Sequence, residues 1–319
     1  MSLPNKWRSL RVVVIGTYNA NLVVWCDALP LKGQSIMGGD FELYCGGKGA
    51  NCAVAAARAG CWVKFVGAHG ADMFGKMARD RLTMEGVEIS DFIELPLSKT
   101  GVAMFFQEVK TGAYAALASV SANQQFPVAL VRKVKPAIRE SDLVFTHFAN
   151  SSSVLLEIYR ICHQHKKRLV VYAVPVQPPI EFPRSSYYLL VANDFEARLL
   201  AGCSDLDSAF QELHLRGVQN VIIRQEHRSL LFSDGTKVRT QPIPPAPHIQ
   251  DAGSMECLTT WAGIALANTG DLAYAAYVGA QALVFSFSRR GALDSMPYLS
   301  ELAIEPLPNF VHSHSSKVT

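Results

Sequence analysis

Gly46-Gly-Lys-Gly-Ala-Asn51 (GGKGAN) runs straight into an alanine-rich stretch, CAVAAARAG, that closes on Gly60. Glycines let a backbone come close to a ligand, and the free N–H groups at a helix start suit hydroxyls or anions. The segment therefore reads as a ligand loop opening a helix over residues 51–59, with Gly60 as its stop. A phosphate-binding P-loop is excluded. That motif needs a glycine five residues before the GK pair, where Glu42 stands, and Ser or Thr after the lysine, where Gly49 stands.

Upstream of the loop, RVVVIG at 11–16 is a continuous apolar strand ending on glycine, the pattern of a strand buried on both faces. Downstream, the pattern predicts strands at 63–66, 143–146, 169–172, 189–192 and 221–224. Helices are predicted at 73–85, 154–165, 194–201 and 207–216. Alternation at this spacing implies βαβ units, hence an α/β fold with a doubly wound, mostly parallel sheet and helices on both faces. Residues 22–44 and 100–117 break the rhythm with strand-like alternation and Gly/Pro punctuation. They predict one small antiparallel sheet built from two insertions. QPIPPAPH at 241–248 predicts an extended connector, and the tail after Pro308 a frayed end. One domain is expected over 10–310.

The chain has 319 residues, of which 49% are apolar and 18% charged, enough for a sizeable core and too little charge for disorder. A net charge of +3 without a basic block argues against nucleic acid or a membrane surface as partner. No apolar run approaches a membrane span, and the first ten residues lack the apolar stretch of a signal peptide. Seven cysteines without a CxxC pair argue against a disulfide framework or a structural zinc site, and for a reducing, cytoplasmic setting. His163 and His165 lie two apart on a helix end and share no face, so they are not a metal pair.

Gly16-Thr-Tyr-Asn19-Ala-Asn21, then GGKGAN and Gly60, Gly67, Asp72 and Gly75, resemble the ribokinase-like (PfkB-type) carbohydrate kinases. Thr100-Gly-Val-Ala-Met and Ser121-Ala-Asn123 resemble that family's lid, and Asn193-Asp-Phe-Glu196 its NxxE motif. The resemblance implies a ribokinase-like domain with a β-sheet lid formed by the two insertions, often paired with a second lid as a homodimer. It also implies γ-phosphoryl transfer from ATP to a primary hydroxyl of a sugar or nucleoside, with magnesium and often potassium. Such transfer needs an in-line acceptor, neutralised phosphate charge and a carboxylate to take the hydroxyl proton.

The resemblance makes Asn19, Asn21, Gly46, Gly47, Lys48 and Asn51 the hydroxyl contacts. At position 21 the family carries aspartate, which accepts from two hydroxyls, whereas an amide offers one acceptor oxygen and two donors. A further acidic contact is expected near Phe148, which is apolar. Asn193 and Glu196 would order magnesium, and Asp251 would anchor the second signature and a monovalent cation. That signature continues in the family as a glycine-bearing anion hole closed by the catalytic Asp. Here it reads Asp251-Ala-Gly-Ser-Met-Glu-Cys257, which puts Glu256 at the anion-hole glycine and Cys257 at the base. A shift of one residue makes Glu256 the base with Met255 at the glycine. A shift of three puts Gly253 in the anion hole and Ser254 at the base. Cys257 is then either a thiol activated by the helix start or a small buried residue. The nucleotide turn, glycine-bearing in the family, reads Arg224-Gln-Glu-His-Arg-Ser229. Arg224, His227 and Arg228 there either attract phosphate or are simply solvated. These departures favour a homologue with lost or strongly reduced ATP-dependent transfer, and leave open an active kinase with a rearranged site.

Overall fold

The apolar RVVVI run forms β1 (Arg11–Ile15), and its side chains divide between two cores. Val12 and Val14 join one apolar layer, Val13 and Ile15 the other. That is the signature of a central strand with helices on both sides. The computed structural model describes residues 8–110, 114–176, 187–226, 228–246 and 251–306.

Chain order continues with β2 (Asn19–Cys26), β3 (Phe41–Gly46), α1 (Lys48–Arg58), β4 (Trp62–Gly70), α2 (Met73–Met84) and β5 (Glu88–Leu95). Then come β6 (Val102–Glu108), β7 (Tyr114–Ser119), the short α3 (Val128–Lys133) and α4 (Lys135–Glu140), β8 (Leu143–His147) and α5 (Ser152–Gln164). They are followed by β9 (Arg168–Tyr172), β10 (Leu189–Asn193), α6 (Asp194–Ala201), α7 (Leu206–Leu215) and β11 (Val221–Gln225). The last are β12 (Ser229–Ser233), β13 (Val238–Pro242), α8 (Ser254–Thr269) and α9 (Leu272–Phe287).

The large sheet runs β13-β12-β11-β10-β9-β8-β1-β4-β5. It is parallel from β5 to β11, with the β11–β12–β13 edge antiparallel. Residues of α1, α2, α8 and α9 fill one core layer, and residues of α3 to α7 the other. Pro242, within the QPIPPAPH stretch, ends β13 at the sheet edge, where a missing N–H is tolerated. Positions 247–250 and the tail after Pro308 lie outside the described residues. No helix among those described is long and apolar enough to cross a membrane, and all seven cysteines are free.

The two insertions form the separate four-stranded sheet β3-β2-β6-β7. Its outer pairs are antiparallel, but the central pair β2–β6 is parallel, which corrects the expectation of an all-antiparallel lid. The reason is topological: β2 leaves the end of β1 and β6 the end of β5, so both run away from the same edge of the large sheet. Asp72 fixes this junction. It accepts from Gly75 N–H (2.9 Å), capping α2, and from Thr100 N–H (2.8 Å) and Oγ1 (2.6 Å) just before β6.

Strand β5 was hidden from a pattern reading because Asp91 sits buried within it, ion-paired to Lys64 and Lys133. Helix α1 begins at Lys48, three residues earlier than the alanine run suggests. Gly47, at φ +97°, turns the chain directly into the helix. A side chain there would meet the backbone of Tyr18 and Asn19 within 2.7 Å.

Candidate functional site

A cavity of about 810 Å³ opens where the parallel strands end, with the inner face of the lid over it. The starts of α1, α6 and α8 converge on it, and polar groups reach it from these helix starts, from β2 and from the end of β11.

Of the hydroxyl contacts implied by sequence, Asn19, Asn21, Gly47, Lys48 and Asn51 all line this cavity. Gly46 lies behind Asn21, whose amide occupies the space a side chain at 46 would need, 2.3 Å away. Asn123 stitches the first loop in place. Its Nδ2 donates to Tyr18 O (2.8 Å) and Asn19 Oδ1 (2.9 Å), and its Oδ1 accepts from Tyr18 N–H (3.1 Å). Asn19 therefore meets a ligand with its acceptor already engaged by Asn123. Asn51 Oδ1 is buried with no hydrogen-bond partner.

The end of β8 differs from expectation. Phe148 turns onto the apolar layer, and Ala149 reaches the cavity. Beneath the floor lies His147, 1% exposed, with Thr17 N–H donating to its Nε2 at 3.1 Å. Burial, reinforced by the charge of Lys48, pulls its pKa down to about 3, so the ring is neutral. Sequence reasoning missed it, since a histidine ending an apolar strand carries no spacing signal.

Glu196 and Glu256 both line the inner end of the cavity, near enough for the charge of Glu256 to act on Glu196. Asn193 caps α6, its Oδ1 accepting from Glu196 N–H at 2.8 Å. Glu196 is 9% exposed, and its Oε2 is buried without a partner. Desolvation raises its pKa to about 7, opposed by a hydrogen bond from the Asn193 backbone N–H to the carboxylate and by the charge of Lys48. Glu256, on the first turn of α8, is 7% exposed, and burial raises its pKa too, against the pull of Lys48. Both glutamates line the cavity. The buried Tyr172 beside them, whose ionisation they disfavour, was not singled out by sequence.

Cys257 is not in the cavity. Its thiol donates to Ala282 O of α9 at 3.3 Å, it is fully buried, and burial holds its pKa well above the usual thiol range. Of the two readings of Cys257, the structure shows the small buried residue and not a thiol activated by the helix start. On α8 one residue is a rotation of about 100°, and that rotation brings Glu256 to the ligand and Cys257 to the helix interface. Gly253 caps α8 at φ +84°, packed against Ala292 O, where a side chain would clash at 2.7 Å.

Arg224 and Asp251, given separate roles by the sequence, bind each other. Arg224 Nη1 donates to Asp251 Oδ1 (2.9 Å) and Ser254 Oγ (3.2 Å), and Nη2 to Asp251 Oδ2 (3.3 Å). Its Nε donates to Glu226 O (2.9 Å), and the guanidinium lies 5.3 Å from the Phe287 ring centre. Arg224 is therefore neither solvated nor presented as a loose phosphate ligand. Arg228, by contrast, is exposed, 3.8 Å from Glu226, and His227 lies outside the described residues.

The chain matches the pfkB family carbohydrate kinases over residues 9–251. The match stops at Asp251, just before the turn into α8. A ribokinase of Bacillus subtilis is 26% identical over 291 residues, covering 91% of this chain and 97% of the relative. Arabidopsis thaliana ribokinase, solved with ribose and ATP, superposes with TM-score 0.81 at 22% identity, covering 91% of this chain and 96% of that one. A putative ribokinase II from E. coli, in complex with ATP and magnesium, gives 0.79 at 17% identity, covering 96% and 100%. These likenesses show the ribokinase fold, with the smaller sheet as lid. Since the family match spans well over half of its 319 residues, the chain belongs to the pfkB family of carbohydrate kinases.

Proposed function

We propose that this carbohydrate-kinase homologue binds a small polyhydroxylated molecule, a sugar or nucleoside, and that its ATP-dependent phosphoryl transfer is lost or strongly reduced. Binding is supported by Asn19, Asn21, Lys48 and Asn51 converging on one cavity. The observation that carries reduced transfer is the Arg224–Asp251 pair tied to Ser254 at the start of α8.

ATP with magnesium fits this end poorly. The polar hydrogens of Arg224 are spent on protein acceptors, and the Asp251 and Glu256 carboxylates face the region where phosphate charge would develop. A monovalent cation fits no better, since the Asp251 carboxylate already has a guanidinium as its counter-ion. The test is ADP release by the purified chain with magnesium and a panel of sugars and nucleosides. The expected result is no acceptor-dependent release above background.

A second reading is favoured by one observation, that Glu256 and not Cys257 reaches the cavity. Glu256 then accepts the proton of a substrate hydroxyl, in an active kinase with a rearranged site. Robust turnover abolished by Glu256→Gln and retained by Cys257→Ala would establish that reading in place of the first. We also propose a homodimer through the outer face of the lid. Directly paired residues share a face, which places Leu22, Leu43, Met104 and Leu117 together, with Val24, Phe41 and Phe106 beside them. Met104 is 44% exposed, Phe41 58% and Leu117 73%.

A further inference from the structure

We propose that the deep end of the cavity selects a ligand carrying a protonated amine beside its hydroxyls, an aminosugar or aminopolyol, with the ammonium held between Glu196 and Glu256. The inference rests on reading the cavity as a polyol site and narrows its ligand class.

Charge balance is the first observation. The described lining carries five carboxylates, Asp194, Glu196, Glu226, Asp251 and Glu256, against two cations, Lys48 and Arg224. Three of the carboxylates already have counter-ions: Asp251 pairs with Arg224 (2.9 Å), Asp194 with Arg198 (3.5 Å) and Glu226 with Arg228 (3.8 Å). That leaves Glu196 and Glu256 facing Lys48. With both ionised, two negative charges against one positive leave one uncompensated; burial meets this in the free protein by favouring the protonated carboxyls, and a cationic ligand would take the place of that proton. His147 below is neutral and so supplies no cation.

Hydrogen-bond sense is the second, independent observation. Two buried oxygens at this end have no partner, Glu196 Oε2 and Asn51 Oδ1, and both are acceptors. A buried acceptor without a donor carries the full desolvation cost. The missing groups are donors, and the missing charge is a single positive one. An ammonium supplies three N–H donors and one charge, while its polyol frame meets the amides of Asn21 and Asn51. A divalent metal answers neither count, since it overcompensates one charge and finds no cluster of three ligating side chains among the described residues.

The test is calorimetric titration of the full chain with D-glucosamine, D-galactosamine and D-mannosamine, each beside its parent hexose and its N-acetyl derivative. A charged hydrogen bond to a buried carboxylate predicts at least about tenfold tighter binding for an amine than for its parent or N-acetyl form. Because the charge is removed on the ligand, this arm does not depend on how a variant folds. Glu196→Gln and Glu256→Gln should each shrink the ratio of amine to parent affinity. Equal binding of amines and parents would overturn the inference and leave the polyol reading standing. Binding of none of the sugars would overturn both. Magnesium or potassium chloride alone competing with the amine at the same residues would show a metal site and overturn the inference.

Discussion

Burial raises the Glu196 carboxyl from 4.5 to about 7, so its folded pKa lies above the unfolded value. The stability linked to this group is present in full below about 4.5 and is lost as pH rises through about 7. The melting temperature of the unliganded protein should therefore fall between about pH 4.5 and 7 and level off above, and Glu196→Gln should flatten that fall. A variant that keeps the wild-type slope would assign the titration to another group. Cys257 gives the opposite kind of test. Placing a carboxylate there, as Cys257→Asp, buries an unpaired charge against α9 and should destabilise by about 3 kcal/mol or more in denaturant unfolding, with no gain of activity. Asn19, Asn21, Lys48 and Asn51 were legible in the sequence because motif spacing on one loop and one helix start translates directly into position. Cys257 was not, because one residue of register on a helix is invisible in a string and decisive in space. Arg224 and Asp251 were legible singly, but their pairing joins positions that no local spacing connects.

At the scale of elements, the start of α8 is the one tied down from a distant strand. Its N-terminal turn is fastened to β11 by Arg224, 7% exposed at its side chain, while Asp251 is 45% exposed. Arg224→Ala leaves Asp251 with access to water but Ser254 Oγ and Glu226 O without their buried donor. A loss of about 1–3 kcal/mol is expected, a fall in melting temperature of several degrees in a chain this long. Differential scanning calorimetry would show it, and an unchanged melting temperature would mean the latch contributes nothing to stability. The lid makes a second prediction at this scale. With Leu22, Leu43, Met104 and Leu117 on one outer face, light scattering should find a dimer at micromolar concentration. Met104→Asp with Leu117→Asp should give a monomer that still folds. A wild-type monomer would refute the lid dimer. The strand–helix alternation of the sheet was readable because buried parallel strands are near-continuous apolar runs. Strand β5, with its buried Asp91–Lys64 pair, and the parallel β2–β6 contact were not, since each is decided by a partner distant in sequence.

For the whole molecule, the parallel β2–β6 pairing sets an order of events in time. Hairpin β6–β7 closes over a short connection and β2–β3 over residues 27–40, but residues 20–26 can meet residues 102–108 only after the much longer chain between them has been organised. Loop-closure entropy over that separation is met before the contact gives anything back. The core strands β1 and β4 lie next to each other, with α1 between them in the chain, so they can assemble first and bring the roots of both hairpins together. Lid substitutions such as Met104→Ala should accordingly accelerate unfolding while leaving the refolding limb of a chevron plot nearly unchanged, and Val14→Ala in β1 should slow refolding. The two halves of the lid are born separately on the growing polypeptide. During synthesis its apolar outer face stays divided between two ribbons until more than a hundred residues have emerged, and the lid is then complete before the starts of α6 and α8, which floor the cavity beneath it, have been made.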